Sequence, residues 1–211
     1  MAGLFIVFEG GDGVGKSTQA RLLADWLTEQ GYEVVLTFEP GDTRAGAVMR
    51  QIVLDPATGD LAPRAETLLY AADKAHHVYE VVRPALERGA IVVSDRYVDS
   101  LLAYQGAGRE LGSERIEAIA RWATGDLLPD LTVLLDLDPE QGVGSIDQPD
   151  RLEGAGLAFH VRARREFLAL AARDPEYYFV LPGRTDREGI AAAIRERVAS
   201  LLSAAPGTLA R

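Results

Sequence analysis

Eight consecutive residues, Gly10-Gly11-Asp12-Gly13-Val14-Gly15-Lys16-Ser17, have the spacing G-x-x-x-x-G-K-[ST] of a phosphate-binding loop. They follow the apolar run Leu4-Phe5-Ile6-Val7-Phe8 and lead into a helical pattern from Ser17 to Leu27. Glycines let successive backbone N–H groups turn inward around an anion, and the helix that follows adds unpaired N–H groups and a partial positive end. Lys16 can reach the β- and γ-phosphates of a nucleoside triphosphate, and the Ser17 hydroxyl can ligate the accompanying magnesium. Thr18 completes the donor set, Gly10 to Thr18. A glycine turn between a strand and a helix needs no ligand, but a full match in a strand–loop–helix context favours phosphate binding.

The elements that must position this loop follow from periodicity. The first helix repeats Ala20, Leu23, Ala24 and Leu27 on one face, and Gly31 ends it. Tyr32 to Phe38 reads as a second strand, closed by the turn Glu39-Pro40-Gly41-Asp42. Arg44 to Leu54 is read as a helix, with other conformations left open, and Pro56 and Pro63 frame a loop. A helix is expected from about Ala65 to Leu86, a buried strand at Ile91-Val92-Val93-Ser94, a helix from Ser113 to Thr124, and a strand from Leu131 to Leu135. Gly142 to Gly156 reads as an exposed loop, Phe159 to Ala172 as a helix, Tyr177 to Leu181 as a short strand, and Arg187 to Leu202 as the last helix. Alternating strands and helices predict a three-layer α/β fold, a parallel sheet covered on both faces.

Composition bounds the remaining possibilities. The 211 residues fit one domain, 1–211, although two small ones are compatible with the length. Hydrophobic residues make up 47% and charged residues 26%, the balance of a globular protein. No apolar stretch approaches the ~20 residues that span a bilayer, and no secretory signal pattern opens the chain. With no cysteine there is neither a disulfide nor a thiolate metal site. Cytoplasmic residence is the expectation. A net charge of −10 opposes the broad basic surface of a protein that holds long nucleic acid, but not the binding of a nucleotide by a few arginines in a cleft.

A second constellation narrows the chemistry. Asp95-Arg96-Tyr97-Val98-Asp99-Ser100 stands at the end of the third predicted strand, and Ala103-Tyr104-Gln105-Gly106-Ala107-Gly108 follows. Arg96, at a strand end, is placed to bridge donor and acceptor phosphates, or else to pair with Asp95 or Asp99. Asp95 is read as acting on magnesium through water or as fixing Ser17. Phe38 and Pro40 offer an apolar wall, and Gln105 suits either an acceptor hydrogen bond or a brace for the turn after it. Together with Phe5 to Ser17, Thr37 to Thr43 and Leu69 to His77, these segments resemble the bacterial thymidylate kinases of the nucleoside monophosphate kinase group, over nearly the whole chain from Phe5 to about Ala172.

The resemblance implies a P-loop kinase fold with a five-stranded parallel sheet, ATP and magnesium at the loop, and transfer of the γ-phosphoryl of ATP to dTMP. It also implies a homodimer and a lid, here at 142–156, with a frayed tail after 203. By resemblance Arg50 grips the monophosphate, Asp12 contacts the acceptor sugar or phosphate network, Tyr70 is a platform for the base, and Tyr104 lies beneath the sugar, where its bulk disfavours a 2′-hydroxyl. Ser100 and Lys74 join the acceptor set. The catalytic group is then Asp12, Lys16, Arg96 and Arg151, the last in the family-like Asp150-Arg151-Leu152-Glu153.

Several positions depart from the family pattern. The turn reads Phe38-Glu39-Pro40-Gly41-Asp42-Thr43 in place of Arg-Glu-Pro-Gly-Gly-Thr. Lys74 replaces an arginine and loses its rigid fork. Leu101 replaces a serine that faces the pyrimidine. The lid segment Gly142 to Asp150 carries no lysine or arginine, so Arg151 is expected to supply lid charge to ATP, with Arg162, Arg164 and Arg165 nearby and at least one of them facing solvent. His76 and His77 are read as polar surface residues, and Arg184 to Glu188 as a helix start and solvated surface. These departures keep two other readings open: a kinase for another deoxynucleotide or deoxynucleoside, and a weakly active nucleotide-binding regulatory protein.

Overall fold

The computed structural model describes residues 3–142 and 148–204. Five strands, β1 (Leu4–Glu9), β2 (Val34–Phe38), β3 (Ile91–Asp95), β4 (Leu131–Asp136) and β5 (Tyr178–Pro182), form one parallel sheet in the order β2-β3-β1-β4-β5. β1 is central, with Leu4 in register with Ile91 of β3 and Ile6 with Leu131 of β4. Its alternate side chains serve two cores. Phe5 and Val7 pack on one face with Val92, Tyr97, Leu101 and Ile116, while Ile6 and Phe8 pack on the other with Leu23, Leu27, Ile190, Ile194 and Val198. The continuously apolar strands are the mark of a parallel sheet buried on both sides.

The second face is covered by α1 (Lys16–Glu29) and α9 (Arg187–Ala204). The first is covered by α3 (Pro63–His77), α4 (Arg83–Glu87), α5 (Val98–Leu101) and α6 (Ser113–Thr124). α2 (Arg44–Leu54) packs on α3, and its N-cap Thr43 accepts the Gly46 N–H at 2.8 Å. The short α7 (Pro139–Gly142) follows β4, and α8 (Leu157–Arg173) packs on the segment after α5. The predicted helix 65–86 is one continuous helical path in which a π-helical turn, Val78–Val82, joins α3 to α4. The expected lid, 142–156, carries a 3₁₀ turn at Glu153–Ala155, but its residues 143–147 lie outside the described residues, as does the tail from 205 onward.

Two helices, α5 and the short α7, were absent from the sequence reading. α5 continues through a π-helical stretch, Leu102–Gly108, over the segment read only as a motif. Gly106 and Gly108 hide it, because glycine lowers helix propensity. Gly108 is there for close approach: a Cβ would stand 2.5 Å from Phe159 Cε2, blocking the seat of α8. Because all strands run one way, their C-terminal ends share one edge of the sheet. Glu9, Phe38, Asp95, Asp136 and Pro182 end the strands there, and the connections that follow carry the chemistry-bearing residues.

Candidate active site

The loop from β1 to α1 turns on Gly10, Gly13 and Gly15, with φ of 129°, 71° and 102°, conformations L side chains rarely adopt. Val14 turns its side chain into the core, leaving its backbone to the loop. Lys16 is buried at the head of α1 and donates to the Gly11 carbonyl. Burial, then Arg96, pushes its ammonium down to about 8, with Asp12, Asp95 and Glu9 opposing. The exposed Ser17 donates its hydroxyl to Asp95 Oδ2, while Asp95 Oδ1 is buried and takes no hydrogen bond from the described residues. A hydroxyl and an orphaned carboxylate oxygen, with no group of three or more acidic or histidine side chains around them among the described residues, fit magnesium, which keeps several waters and takes oxygens from phosphate.

Arg96 occupies the step from β3 to α5 with φ 74°, a left-handed conformation uncommon outside glycine. The surroundings impose it: the Arg96 N–H donates to Phe8 O at 2.9 Å, and its carbonyl accepts from Ser94 Oγ at 2.8 Å. The guanidinium reaches three ways. It donates to Gly10 O at 3.2 Å, to Ser100 Oγ at 2.9 Å and to Asp12 Oδ1, and it lies 5.2 Å over the Tyr104 ring. Burial works against its charge, yet Tyr104 and the carboxylates of Asp12, Asp95 and Glu9 hold it protonated well above its ordinary range. Asp12 also accepts from Tyr104 Oη at 3.0 Å, and against burial Arg96 and Lys16 hold its carboxyl below the usual range.

From the loop a cleft of about 580 Å³ runs to the end of β2. Asp12, Lys16, Ser17, Asp95 and Arg96 line one part, and Phe38, Pro40, Arg50, Tyr70, Lys74, Ser100, Leu101, Tyr104 and Gln105 line the rest. Phe38 is 40% exposed in this cleft, with the Arg50 guanidinium 5.6 Å over its ring. Arg50 donates to Pro40 O at 2.7 Å. Tyr70 is buried, and its hydroxyl meets no partner among the described residues. Tyr104 stacks on Phe159 with ring centroids 5.8 Å apart.

The comparisons with known proteins meet this geometry. A family model described as Thymidylate kinase matches residues 8–194. The chain belongs to the thymidylate kinase family. It is 56% identical over 203 residues to the thymidylate kinase of Cutibacterium acnes, covering 96% of this chain and 100% of that one. It is 54% identical over 208 residues to the thymidylate kinase of Clavibacter michiganensis, covering 97% and 98%. The crystal structure of thymidylate kinase from Ehrlichia chaffeensis superposes with a TM-score of 0.78 at 30% identity, over 94% of this chain and 99% of that one.

Several of the named residues hold partners within the chain. Arg151, expected to face ATP, donates to Glu66 and, at 2.9 Å, to Val53 O. The fully buried Glu66 also accepts from Arg109 Nε and Nη2, each at 3.0 Å, and from Gln105 Nε2 at 2.9 Å, so Gln105 braces the interior here. Without these donors the buried carboxylate would carry its full desolvation penalty. Arg96 pairs with Asp12, in place of Asp95 or Asp99. Lys74 lines the cleft but commits its ammonium to Glu39 Oε2 at 2.5 Å and Tyr97 O at 2.6 Å. Arg164 forks onto Asp136 at 2.7 and 2.9 Å, Arg162 donates to Gly108 O at 2.7 Å, and Arg165 faces solvent. His77, read as surface, is 1% exposed.

Other site residues were missed. Glu9, wholly buried, accepts the N–H groups of Tyr97 and Ser100 at 2.8 and 3.1 Å and the Ser100 hydroxyl at 2.6 Å, fixing the turn that carries Arg96. Burial pushes its carboxyl up, with Arg96 and Ser100 opposing. A glutamate directly before the loop glycines was its one sequence signal. Arg184, read as solvated surface, places a guanidinium nitrogen 3.4 Å from where a Gly13 Cβ would stand and donates to Gln141 O at 3.0 Å.

Proposed function

We propose that this chain transfers the γ-phosphoryl group of ATP to dTMP, giving dTDP and ADP. The observation that carries the reading is Arg96, one guanidinium bonded both to the phosphate loop at Gly10 and Asp12 and to Ser100 on the acceptor side of the same cleft. A phosphoryl in flight between two nucleotides needs that bridging charge far more than it needs an acid or base. Lys16 and the loop amides from Gly10 to Thr18 hold the donor phosphates. Ser17 and Asp95 hold magnesium, which when bound neutralises phosphate charge. Arg50 grips the acceptor phosphate, Phe38, Pro40, Tyr70 and Leu101 enclose the base, and Tyr104 supports the sugar while keeping Asp12 in place.

The finer parts of the reading are a single domain, a lid over 142–156 that closes on ATP, cytoplasmic residence and pairing of two identical chains. Among the described residues no helix is long and apolar enough to cross a membrane. Tyr79 and Trp122, exposed at 77% and 84%, support the pairing as large aromatic surfaces that a second chain would cover.

The test is an acceptor panel with ATP and magnesium. dTMP should give the largest kcat/KM, ahead of dUMP by about tenfold or more, the worth of one methyl in an apolar pocket. A larger value for dUMP, dCMP or thymidine contradicts the acceptor assignment. Binding without product across the panel contradicts the reaction.

A further inference from the structure

A helix leaves its last carbonyls without partners of its own. At the end of α2 two of them are taken by a single distant residue: the Arg151 N–H donates to Leu54 O at 3.0 Å, and Arg151 Nε donates to Val53 O at 2.9 Å. A guanidinium there also meets the negative pole of the helix. Nη2 of the same group goes on to the buried Glu66, in the first turn of α3. One side chain thus ties the end of α2 to the start of α3. Arg151 is itself held in place by its neighbours. Asp150 Oδ1 accepts the N–H groups of Leu152 and Glu153, each at 2.8 Å, and Glu153 Oε2 accepts the Asp150 N–H at 2.9 Å. This is the reciprocal pattern of a capping box, at the head of the 3₁₀ turn Glu153–Ala155.

Both helices that Arg151 joins carry acceptor residues. Arg50 stands one turn before Val53 on α2, Tyr70 one turn after Glu66 on α3, and both line the cleft. Asp150, Leu152 and Glu153 line it with them, while the Arg151 side chain, 11% exposed, is not part of the lining. We infer that Arg151 is a positioning residue for the acceptor nucleotide, fixing α2 against α3 from behind the cleft and so setting Arg50 against Tyr70. Removing its side chain leaves the backbone bond to Leu54 O but cuts both other ties, and Arg109 and Gln105 still satisfy Glu66. The end of α2 then shifts against α3 and carries Arg50 with it. Lys16 and the phosphate loop, between β1 and α1, hold their geometry through other bonds.

The identity of the acceptor rests on the proposed transfer to dTMP; the tie between the helices does not. Arg151→Ala should raise KM for dTMP by about tenfold, the scale of one charge-assisted hydrogen bond, and change KM for ATP by less than about twofold. Arg151→Lys, which has no fork to span Val53 O and Glu66, should fall between parent and alanine. A rise in KM for ATP that equals or exceeds the rise for dTMP overturns the inference and assigns Arg151 to the donor. Unchanged KM for both overturns it as well. Hydrogen exchange reads the tie without any nucleotide: amides in the last turn of α2 should exchange about tenfold faster in Arg151→Ala, with those of α1 at the parental rate. Parental protection at the end of α2 contradicts the tie. Should the alanine variant fail to fold, Arg151→Lys carries the same comparisons. Calorimetric titration with dTMP separates this inference from the reaction. A parent chain that binds dTMP without forming product contradicts the reaction, and weaker dTMP binding by the variant still supports positioning. A parent chain that binds no dTMP contradicts the acceptor assignment, and the KM comparison then runs on whichever acceptor the panel identifies.

Discussion

Lys16 carries the sharpest tension at the scale of one residue. Its ammonium is buried beside another cation, which pushes it from the ordinary 10.5 down to about 8. Between those values the unfolded chain binds more protons than the folded one, so stability rises with pH from about 8 to 10.5, and below 8 the cost of about 3 kcal/mol is fully present. Lys16→Ala should therefore leave the thermal midpoint of the ligand-free protein at neutral pH unchanged or higher. Turnover should nevertheless fall by about 10³-fold, since the charge acts most strongly in the transition state. Near-normal turnover, or a midpoint several degrees lower, contradicts this account of Lys16. The loop motif made Lys16 and Ser17 legible from sequence because local backbone geometry alone dictates it. Lys74, Gln105 and Arg151 were not legible in the same way. Each is a long polar side chain whose partner, Glu39 for one and Glu66 for the other two, lies 35 or more residues away and is chosen only by packing.

At the scale of elements, Glu66 ties α3 to two other parts of the chain, the stretch after α5 through Gln105 and Arg109 and the segment before α8 through Arg151. Burial alone would raise its carboxyl, but the hydrogen bonds from Arg109, Gln105 and Arg151 bring it below the usual range. Its contribution to stability is therefore present above the unfolded carboxylate range and is lost as pH falls through the lowered folded value. Glu66→Ala should lower unfolding free energy by about 3 kcal/mol or more, read from urea midpoints, because two guanidinium groups lose their counter-charge. Arg151→Ala should cost less, since Arg109 still satisfies the carboxylate. A larger loss for Arg151→Ala would show that its tie to Val53 O, not the Glu66 pair, holds the segment. Regular elements were legible wherever apolar period was strong, as in β1, β3 and α6. The helix through Gly108 was not, because its two glycines serve Phe159 and Ser113 across the fold and so disguise the local signal. Likewise α3 and α4 read as one helix because a π-helical turn shifts the period without breaking it.

At the scale of the molecule, the parallel sheet does the assembling. Its order β2-β3-β1-β4-β5 brings the ends of β1 and β3 side by side, so that Glu9 can seat the turn holding Arg96, while the end of β2 supplies Phe38 and Pro40. The α/β class and the sheet were legible from alternation of strand and helix patterns. The charge layer beneath the β2 turn was not, because nothing local in the sequence pairs Glu39 with Lys74 and His77 until the fold brings them together. The proposed reaction requires donor and acceptor phosphates to occupy one continuous cleft bridged by Arg96. Adenosine and thymidine joined 5′ to 5′ through a chain of phosphates test it most directly, because linking two ligands makes the second contact intramolecular. This compound should compete with both ATP and dTMP, bind about 10²-fold or more tighter than either, and lose most of that gain in Arg96→Ala. Competition with ATP alone, at an affinity no better than that of ATP, would contradict it.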